Sequence, residues 1–256
     1  MNLELKNKNV LVTGSNRGTG QIIAESFVRE GANVFYHHMQ EPTEGLTEDG
    51  IHTWGDITTD AGADQVLHQV RDEVDQLDIL VNNYGKATRG KWQSATIDDW
   101  VNIYETNTLS IVRMIQRFSL DMPAGSRIIN LGTIGSTRPN SVMPHYYSAK
   151  GALATLTVSL AKELGPRGIT VNLVSPGLIR TPEVEAQYLK HALESGWGND
   201  FDAAEAKITE AFFPNPLNRI ATREEVADVV LFLASARASF VNGQNIRVDG
   251  GAVDIV

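Results

Sequence analysis

The alternation of short apolar runs with longer helical patterns constrains the fold of this chain more than any other feature. The apolar runs are NVLVTG near residue 10, ANVFYH near 34, DILVNN near 80, RIINLG near 129, ITVNLVS near 171 and QNIRVDGG near 246. Helical patterns fit residues 18–30, 60–75, 97–121, 145–164 and 223–235. This order predicts an α/β fold with a parallel sheet and helices on both faces. The strands are nearly continuous apolar runs, as expected when both faces are covered.

The whole chain, residues 1–256, is predicted to be one domain because no Pro-, Gly- or Ser-rich linker and no internal repeat divides it. The least regular part is residues 180–218, which mixes helical pieces with Gly and Pro breaks. A long insertion of this kind in a compact α/β domain is typically a lid or a substrate-binding loop. Its aromatic residues either line an apolar pocket or pack the loop down, and these are Trp197, Phe201, Phe212 and Phe213.

Composition excludes several functional classes. The net charge is −9 with no basic cluster, which argues against nucleic-acid binding. No apolar run is long enough to span a bilayer, and the N-terminus lacks the pattern of a signal peptide, so we expect a cytoplasmic protein without membrane contact. The chain has no cysteine, which excludes disulfides and thiolate chemistry. Adjacent strand residues point to opposite sides, so His37 and His38 cannot bind one metal, and no metal is expected.

A glycine-rich turn lies between the first strand and the first helix, in the sequence TGSNRGTG. Such a turn directs free N–H groups of the helix start toward a pyrophosphate, where the helix dipole also favours negative charge. Its spacing, TGxxxGxG, differs from the ordinary GxGxxG fingerprint, but its position after a strand and before a helix favours a dinucleotide site. The predicted cofactor-binding residues of this turn are Gly14, Ser15, Asn16, Arg17, Gly18, Thr19 and Gly20.

The choice between NAD(H) and NADP(H) depends on the end of the second strand. A carboxylate there would hold the ribose 2′-hydroxyl and repel a 2′-phosphate. This chain has His38 at that point and no acidic residue until Glu41. Arg17 can supply the charge-assisted bonds that a 2′-phosphate prefers, with His38 as a second contact, although Arg17 also fits a solvated loop residue. We therefore expect NADP(H) to be favoured over NAD(H).

Two tyrosines in the sequence MPHYYSAKG raise the question of which hydroxyl moves a proton. Residues three or four apart share a helix face, so Tyr146 can lie beside Lys150, whereas Tyr147 has Lys150 only at the edge of its face and Gly151 one turn on. A phenol has a reference pKa of about 10, and we expect the Lys150 ammonium and a cationic nicotinamide ring together to lower the pKa of Tyr146. The tuned hydroxyl would then exchange a proton with an alcohol or a ketone. A Tyr and Lys at this spacing are otherwise an ordinary surface pair.

Several motifs together resemble the short-chain dehydrogenase/reductase family over almost the entire chain. They are TGSNRGTG at 13–20, NNYG at 82–85, ETNTLS containing Asn107, YYSAK at 146–150, NLVSPGLIRT at 172–181 and NGQNIRVDGG at 242–251. The resemblance implies a single Rossmann-like domain with a doubly wound, three-layer architecture. It also implies a nicotinamide cofactor and a catalytic tetrad of Asn, Ser, Tyr and Lys.

The resemblance places this tetrad at Asn107, Thr133, Tyr146 and Lys150. Tyr146 and Lys150 are also expected to contact the cofactor, with Lys150 at the nicotinamide ribose. The family hydroxyl lies thirteen residues before the tyrosine, which gives Thr133 where the family has Ser. A threonine keeps the donor and acceptor that orient a carbonyl, while its methyl group narrows the site. Ser136 is the alternative, outside the expected register. Asn107 resembles the residue that supports a water chain from the lysine, although a helix-interior Asn can also bond its own backbone.

Further cofactor contacts follow from the same resemblance. Asp56 resembles the residue that binds the adenine amino group, or else it caps a helix. Tyr84 departs from the family pattern, which has Ala there; its ring either fills a gap between neighbours or reshapes the cofactor passage. The remaining residues carried over are Ile57, Asn83, Gly85, Pro176, Gly177, Ile179 and Thr181, the last as a candidate for the carboxamide.

The expected function is hydride transfer between NADP(H) and a carbonyl or secondary alcohol, as in a ketoreductase of the 3-oxoacyl-reductase type. The alternatives are an NAD(H)-dependent alcohol or sugar dehydrogenase and a dinucleotide sensor without turnover. The helix at 145–164 is small or apolar on most of its circumference, which predicts a homo-oligomer, a dimer or tetramer. Arg89 and Lys91 in the stretch 85–92 either attract an anionic substrate or are solvated.

Overall fold

The computed structural model describes residues 2–43, 47 and 49–254, and within these residues the chain forms one sheet of seven parallel strands. The strands are β1 (Asn9–Val12), β2 (Asn33–His38), β3 (Ile51–Trp54), β4 (Ile79–Asn82), β5 (Arg127–Leu131), β6 (Thr170–Pro176) and β7 (Asn245–Val248). The α-helices are α1 (Gly18–Arg29), α2 (Asp60–Glu73), α3 (Ile97–Tyr104), α4 (Ser110–Phe118), α5 (Pro144–Leu164), α6 (Pro182–Glu194), α7 (Phe201–Phe212) and α8 (Arg223–Ala234).

The strand order is β3-β2-β1-β4-β5-β6-β7, so the chain reverses direction across the sheet between β1 and β4. In open parallel sheets, ligands bind outside the carboxyl ends of the strands at such a switch point. The glycine turn after β1 and the NNYG stretch after β4 both lie there. The predicted Rossmann-like, doubly wound fold is confirmed.

Strand β3 was not predicted from the sequence. Its residues, IHTW, form no apolar run because a histidine and a threonine alternate with the larger side chains. The strand forms because β2 offers a free edge, on which Tyr36 pairs with His52 and His38 pairs with Trp54. This edge pairing brings His52 next to the end of β2.

Two apolar layers hold the helices on the sheet. On one face, Val12 of β1 packs in a cluster with Phe27 of α1 and Val230 of α8. On the other face, Leu80 of β4 packs in a cluster with Met114 of α4. These side chains are fully buried, and each contributes about 1.5–3 kcal/mol through removal of apolar surface from water. The strand interiors are apolar because both faces are covered.

The single helix predicted over 97–121 is interrupted. Helix α3 ends at Tyr104, a π-helical turn spans Glu105–Leu109, and α4 ends at Phe118. π-turns widen the helix by one residue and often occur at functional positions. Asn107 lies inside this turn and is fully buried.

The last predicted helix begins as expected. Thr222 caps α8, with its hydroxyl accepting from Glu225 N–H and the Glu225 carboxylate accepting from Thr222 N–H. In the described part of the chain, no helix is long and apolar enough to cross a membrane.

The irregular segment 180–218 forms α6 and α7, which share a small core of their own. Tyr188, Phe201 and Ile208 are buried in it, and Trp197 packs against it. For Phe201 and Trp197 the structure therefore supports the second of the two interpretations, packing within the segment. Arg180 joins the two helices through ion pairs with Glu185 and Asp202.

Candidate active site

The glycine turn has the geometry of an anion site. Gly14 and Gly18 adopt φ angles of +62° and +63°, which favour residues without a Cβ. A Cβ added to Gly18 would meet no heavy atom within 4 Å, so the space before α1 is open. Helix α1 has no side-chain cap and no acidic residue in its first turn. Its free N–H groups and exposed Asn16 and Arg17 therefore fit a pyrophosphate group.

Close packing explains why residue 20, which lies beneath this turn, is a glycine. A Cβ on Gly20 would lie 2.5 Å from the Gly14 carbonyl oxygen and would overlap the Asn83 amide. Asn83 Nδ2 donates to the carbonyl oxygens of Thr13 and Gly14 at 2.9 and 3.1 Å. The predicted contact Ser15 is fully buried, and its hydroxyl donates to Val12 O, so it serves the turn itself.

His37 connects the glycine turn to the end of β3 by two hydrogen bonds. This role was not recognised in the sequence. Gly14 N–H donates to His37 Nδ1 at 3.0 Å, and the opposite ring nitrogen, Nε2, donates to Gly55 O at 3.0 Å. The two partners fix the tautomer, because an amide N–H must meet an acceptor and a carbonyl a donor. Burial lowers the pKa of His37 to about 4, so the ring stays neutral.

His38, the predicted contact for the 2′ position, is held by a second histidine. His52 Nε2 lies 3.1 Å from Thr47 O and donates to it, so His52 Nδ1 accepts from His38 Nε2 at 2.8 Å. This leaves Nδ1 of His38 as an acceptor, and no described residue pairs with it. Burial lowers the pKa of His38, and the neighbouring His52 lowers it further. His52 was not recognised in the sequence because strand β3 was not predicted.

Asp56 and Ile57 follow β3. The exposed Asp56 carboxylate accepts from the Thr58 backbone N–H at 3.0 Å and from the Thr58 hydroxyl at 2.6 Å. Thr59, not Asp56, caps α2. Ile57 has its side chain fully buried in the core, which leaves only its backbone for a ligand.

Tyr84 lies between the glycine turn and Asp56. Its Cδ2 is 3.2 Å from the point that a Cβ on Gly14 would occupy, and the half-buried ring packs against the core cluster that includes Ile57. Burial, and then the Asp56 charge, raise the pKa of its hydroxyl. The ring therefore fills space between its neighbours, as in the first interpretation, and also lies against the glycine turn, while its effect on the cofactor passage stays a prediction. Thr13 holds the segment, because its Oγ1 accepts from the N–H groups of Asn83 and Tyr84 at 3.0 Å each.

A cavity of about 790 Å³ lies beside the start of α5. Its lining includes Thr133, Tyr146 and Gly177, and also Tyr147. Ser136 is not among the lining residues, and its hydroxyl donates to Thr133 O at 2.8 Å. The structure thus brings Thr133, and not Ser136, to the same cavity wall as Tyr146.

Asn107 and Lys150 meet behind this wall. A Cβ added to Gly85 would lie 2.8 Å from Asn107 Oδ1 and 3.2 Å from Lys150 Nζ, so the NNYG stretch passes over both. Asn107 holds that stretch by accepting from Lys86 N–H at 3.1 Å and donating to Lys86 O at 2.9 Å. Lys150 is buried and donates to Leu131 O at 2.8 Å.

The electrostatics of the tyrosine and lysine differ from the sequence expectation. Burial, with a smaller contribution from Tyr147, raises the pKa of Tyr146 to about 12. Burial also lowers the pKa of Lys150 to about 8. No hydrogen bond joins the two side chains among the described residues. In the chain without its cofactor the Tyr146 pKa is therefore raised, because loss of water around the phenol is the largest effect, and the lowering expected with the cationic nicotinamide ring in place stays a prediction.

The segment after β6 forms the far wall. Pro176 is buried, Gly177 reaches the cavity, and Ile179 bridges to Ala221. Thr181 caps α6, and its hydroxyl oxygen accepts a hydrogen bond from Val184 N–H at 3.3 Å. A contact to the carboxamide, as predicted for Thr181, would use this same oxygen.

Two of the four loop aromatics line the cavity, namely Phe212 and Phe213 at the end of α7. Both rings pack on Tyr188 of α6, each with its centroid 5.2 Å from the tyrosine ring. Arg89 lies beside Tyr188 and opposes the rise in pKa that burial causes there. It therefore contacts α6, and the two roles considered from the sequence stay predictions.

Comparison with known proteins adds independent evidence. A family model described as enoyl-(acyl carrier protein) reductase matches residues 14–253. A 3-oxoacyl-[acyl-carrier-protein] reductase of Salmonella typhimurium is 34% identical, covering 97% of this chain and 98% of that protein. An uncharacterised oxidoreductase of Bacillus subtilis is also 34% identical, with 99% of each chain covered.

Solved structures give the same picture. L-sorbose reductase from Gluconobacter frateurii, complexed with NADPH and L-sorbose, superposes with a TM-score of 0.91 at 28% identity over 100% of both chains. The ligand-free aldohexose dehydrogenase of Thermoplasma acidophilum superposes with a TM-score of 0.85 at 30% identity, covering 99% of this chain and 98% of that one.

Proposed function

The chain belongs to the short-chain dehydrogenase/reductase family and is an NAD(P)-dependent oxidoreductase, and we propose that it is an NADP(H)-dependent ketoreductase with Tyr146 as its proton donor. The observation that carries this proposal is that Tyr146 and Thr133 line one cavity while Lys150 is buried behind it. When bound, the nicotinamide supplies the hydride or accepts it.

The protonation states favour reduction. With a pKa of about 12, Tyr146 is a neutral phenol at pH 7 and can donate its proton to a carbonyl oxygen that gains negative charge. Lys150, with a pKa of about 8, still carries a positive charge at pH 7 and can stabilise the phenolate that remains. The same groups run in reverse for alcohol oxidation, but that direction first requires a deprotonated Tyr146.

Thr133 orients the substrate oxygen. Its Oγ1 accepts from Gly135 N–H at 3.2 Å, which leaves the hydroxyl hydrogen for the carbonyl. Asn107 does not contact the substrate oxygen. It acts by holding the backbone of Lys86, which lies beside the catalytic Lys150. These four side chains complete the proposed catalytic set.

The cofactor preference rests on charge at the ribose. Arg17 is exposed on the glycine turn, and no carboxylate follows β2 directly. The similar L-sorbose reductase was solved with NADPH, which supports the same cofactor here. A neutral His38 offers an acceptor, so it must take up a proton to bind a 2′-phosphate. The competing NAD(H)-dependent activity would use that acceptor for a 2′-hydroxyl.

Cofactor titration distinguishes these two preferences. The intrinsic fluorescence of NADPH and NADH gives both dissociation constants for the wild type and for the Arg17→Ser variant. The expected result is tighter NADPH binding in the wild type and loss of most of that advantage in the variant. Equal affinities in the wild type would remove the preference for NADP(H).

The activity test uses the Tyr146→Phe variant, which removes only the hydroxyl. Wild-type enzyme should consume NADPH with small ketones, and the variant should lose at least about a hundredfold in kcat because general acid catalysis typically contributes that much. NADPH binding should stay within about twofold, because the phenol is not part of the glycine turn. Full activity in the variant would refute the role of Tyr146.

We also propose a homo-oligomer. Ile97 and Val101 on α3 and Val158 on α5 expose 77%, 58% and 44% of their surface, and these two helices pack side by side. A second subunit would cover these exposed apolar side chains. Light scattering on the wild type should give a dimer or tetramer mass, and Val101→Glu should lower it. A monomeric wild type would contradict the proposal.

A further inference from the structure

A second tyrosine hydroxyl reaches the cavity beside the proposed proton donor. Tyr146 and Tyr147 are consecutive, and helix geometry separates their side chains by about 100°. Their ring centroids are nevertheless only 5.6 Å apart, and both residues line the cavity. A bound substrate would therefore meet both tyrosines.

The position of the Tyr147 ring is defined by its neighbours. A Cβ added to Gly135 would lie 3.1 Å from Tyr147 Cζ and would overlap the ring edge, so the ring lies directly against the glycine backbone. On the other side, the hydroxyl meets Asn140, which also lines the cavity. Ring and hydroxyl are thus held from two directions.

The hydrogen-bond network assigns the direction of the Tyr147 hydroxyl. Val142 N–H donates to Asn140 Oδ1 at 2.9 Å, which identifies the other atom of the amide as the nitrogen. Asn140 Nδ2 then donates to Tyr147 Oη at 3.0 Å. An amide nitrogen cannot accept, so the hydroxyl hydrogen of Tyr147 is not used by Asn140. No described residue accepts it.

We propose that Tyr147 donates this hydrogen to a second oxygen of the substrate, so that the enzyme prefers ketones with a nearby hydroxyl or carbonyl group over plain ketones. This inference rests on the proposed function, because it assumes that Tyr146 and Thr133 hold the reacting carbonyl. The chemical class is an α- or β-oxygenated ketone. From the sequence, Tyr147 was considered only as an alternative proton donor, and Asn140 was not identified, since the spacing of these two residues along the chain has no motif.

The rest of the cavity fits such a substrate. Asp249, Asn215 and Arg138 contribute polar groups to its lining, whereas Phe212 and Phe213 form an apolar part on the lid side. These polar groups, within a lining that is mostly apolar, favour an oxygen-bearing ligand, because donors and acceptors left unpaired on binding weaken the complex with a plain ketone.

The test compares matched ketones in four enzymes. The substrate pairs are hydroxyacetone with acetone, and 4-hydroxybutan-2-one with butan-2-one, each with NADPH. The quantity measured is the ratio of kcat/KM for the hydroxylated ketone to that for the plain ketone. A hydroxyl also changes the intrinsic reactivity of the carbonyl, but that effect is the same for every variant and cancels when ratios are compared.

Two variants remove the donor in different ways. Tyr147→Phe deletes the hydroxyl. Asn140→Asp keeps the acceptor for Val142 N–H but replaces the amide nitrogen by an oxygen, so the Tyr147 hydrogen turns toward the carboxylate. The control is Tyr104→Phe, which removes a partly exposed hydroxyl on α3 that does not line the cavity.

The wild-type ratio is expected to fall about three- to tenfold in Tyr147→Phe and in Asn140→Asp, the effect of one lost hydrogen bond, and to stay unchanged in Tyr104→Phe. An unchanged ratio in both donor variants, with turnover intact, would overturn this inference and leave the proposed function standing. Absence of turnover with every ketone in the wild type would overturn both. Circular dichroism confirms that each variant is folded, and if one variant does not fold, the other decides.

Discussion

Replacement of Lys150 by methionine tests the electrostatic description of the site. Burial lowers the pKa of Lys150 from 10.5 to about 8, which costs the folded state about 3 kcal/mol at neutral pH, at 1.36 kcal/mol for each pKa unit. Because the pKa is lower in the folded state, the unfolded chain binds more protons. Stability should therefore rise as pH increases through 8 toward 10.5. Linkage gives a gain of about 1 kcal/mol between pH 7 and 9 from this residue alone.

The assay is urea unfolding followed by circular dichroism at pH 7 and pH 9, for the wild type and Lys150→Met at one protein concentration. Methionine has nearly the same length and no charge, so the variant should lack this increase. The free energy of unfolding of the wild type minus that of the variant should therefore be about 1 kcal/mol higher at pH 9 than at pH 7. Tyr146, with a pKa of about 12, does not titrate in this range. Parallel pH dependences in the two proteins would refute the lowered pKa of Lys150.

Three other changes probe the cofactor site and the lid. Gly20→Ala should weaken NADPH binding at least about tenfold, because the new methyl would lie 2.5 Å from the Gly14 carbonyl oxygen; unchanged fluorescence titration would contradict this. The pKa of His37 is about 4, so its buried ring resists protonation as the pH falls. Between pH 6.5 and pH 4 the free energy of unfolding, measured with urea, should fall by about 3 kcal/mol more in the wild type than in His37→Asn. Equal losses in the two proteins would exclude a neutral buried ring. Arg180→Ala removes the ion pairs that join α6 and α7 and a cation–π contact of 4.8 Å to Phe201. If these two helices form the predicted lid, KM should rise more than kcat falls. An unaltered KM would argue against a lid.

Local patterns were sufficient for the architecture. Continuous apolar strands between amphipathic helices predicted the parallel sheet, because residues buried on both faces must be apolar whatever the rest of the chain does. The expected family, fold and oxidoreductase class are confirmed. The glycine turn was recognisable because its backbone needs residues without a Cβ. The failures occurred where no local pattern exists: β3 forms only through pairing with β2, and the π-turn around Asn107 interrupts an otherwise regular helix.

Contacts between distant residues decided the chemistry of the site. The position of Tyr146 near Lys150 in sequence predicted a lowered pKa with the cofactor bound, whereas in the chain alone burial of the phenol raises its pKa. His37 is neutral because it is buried, and it joins Gly14 to Gly55 by hydrogen bonds, while the hydroxyl hydrogen of Tyr147 is not used by Asn140, which donates to the hydroxyl oxygen. Sequence spacing specifies which groups a chain possesses and which helix face they share. Solvent exclusion and partner geometry, which set pKa values and hydrogen-bond direction, arise only once remote segments pack together.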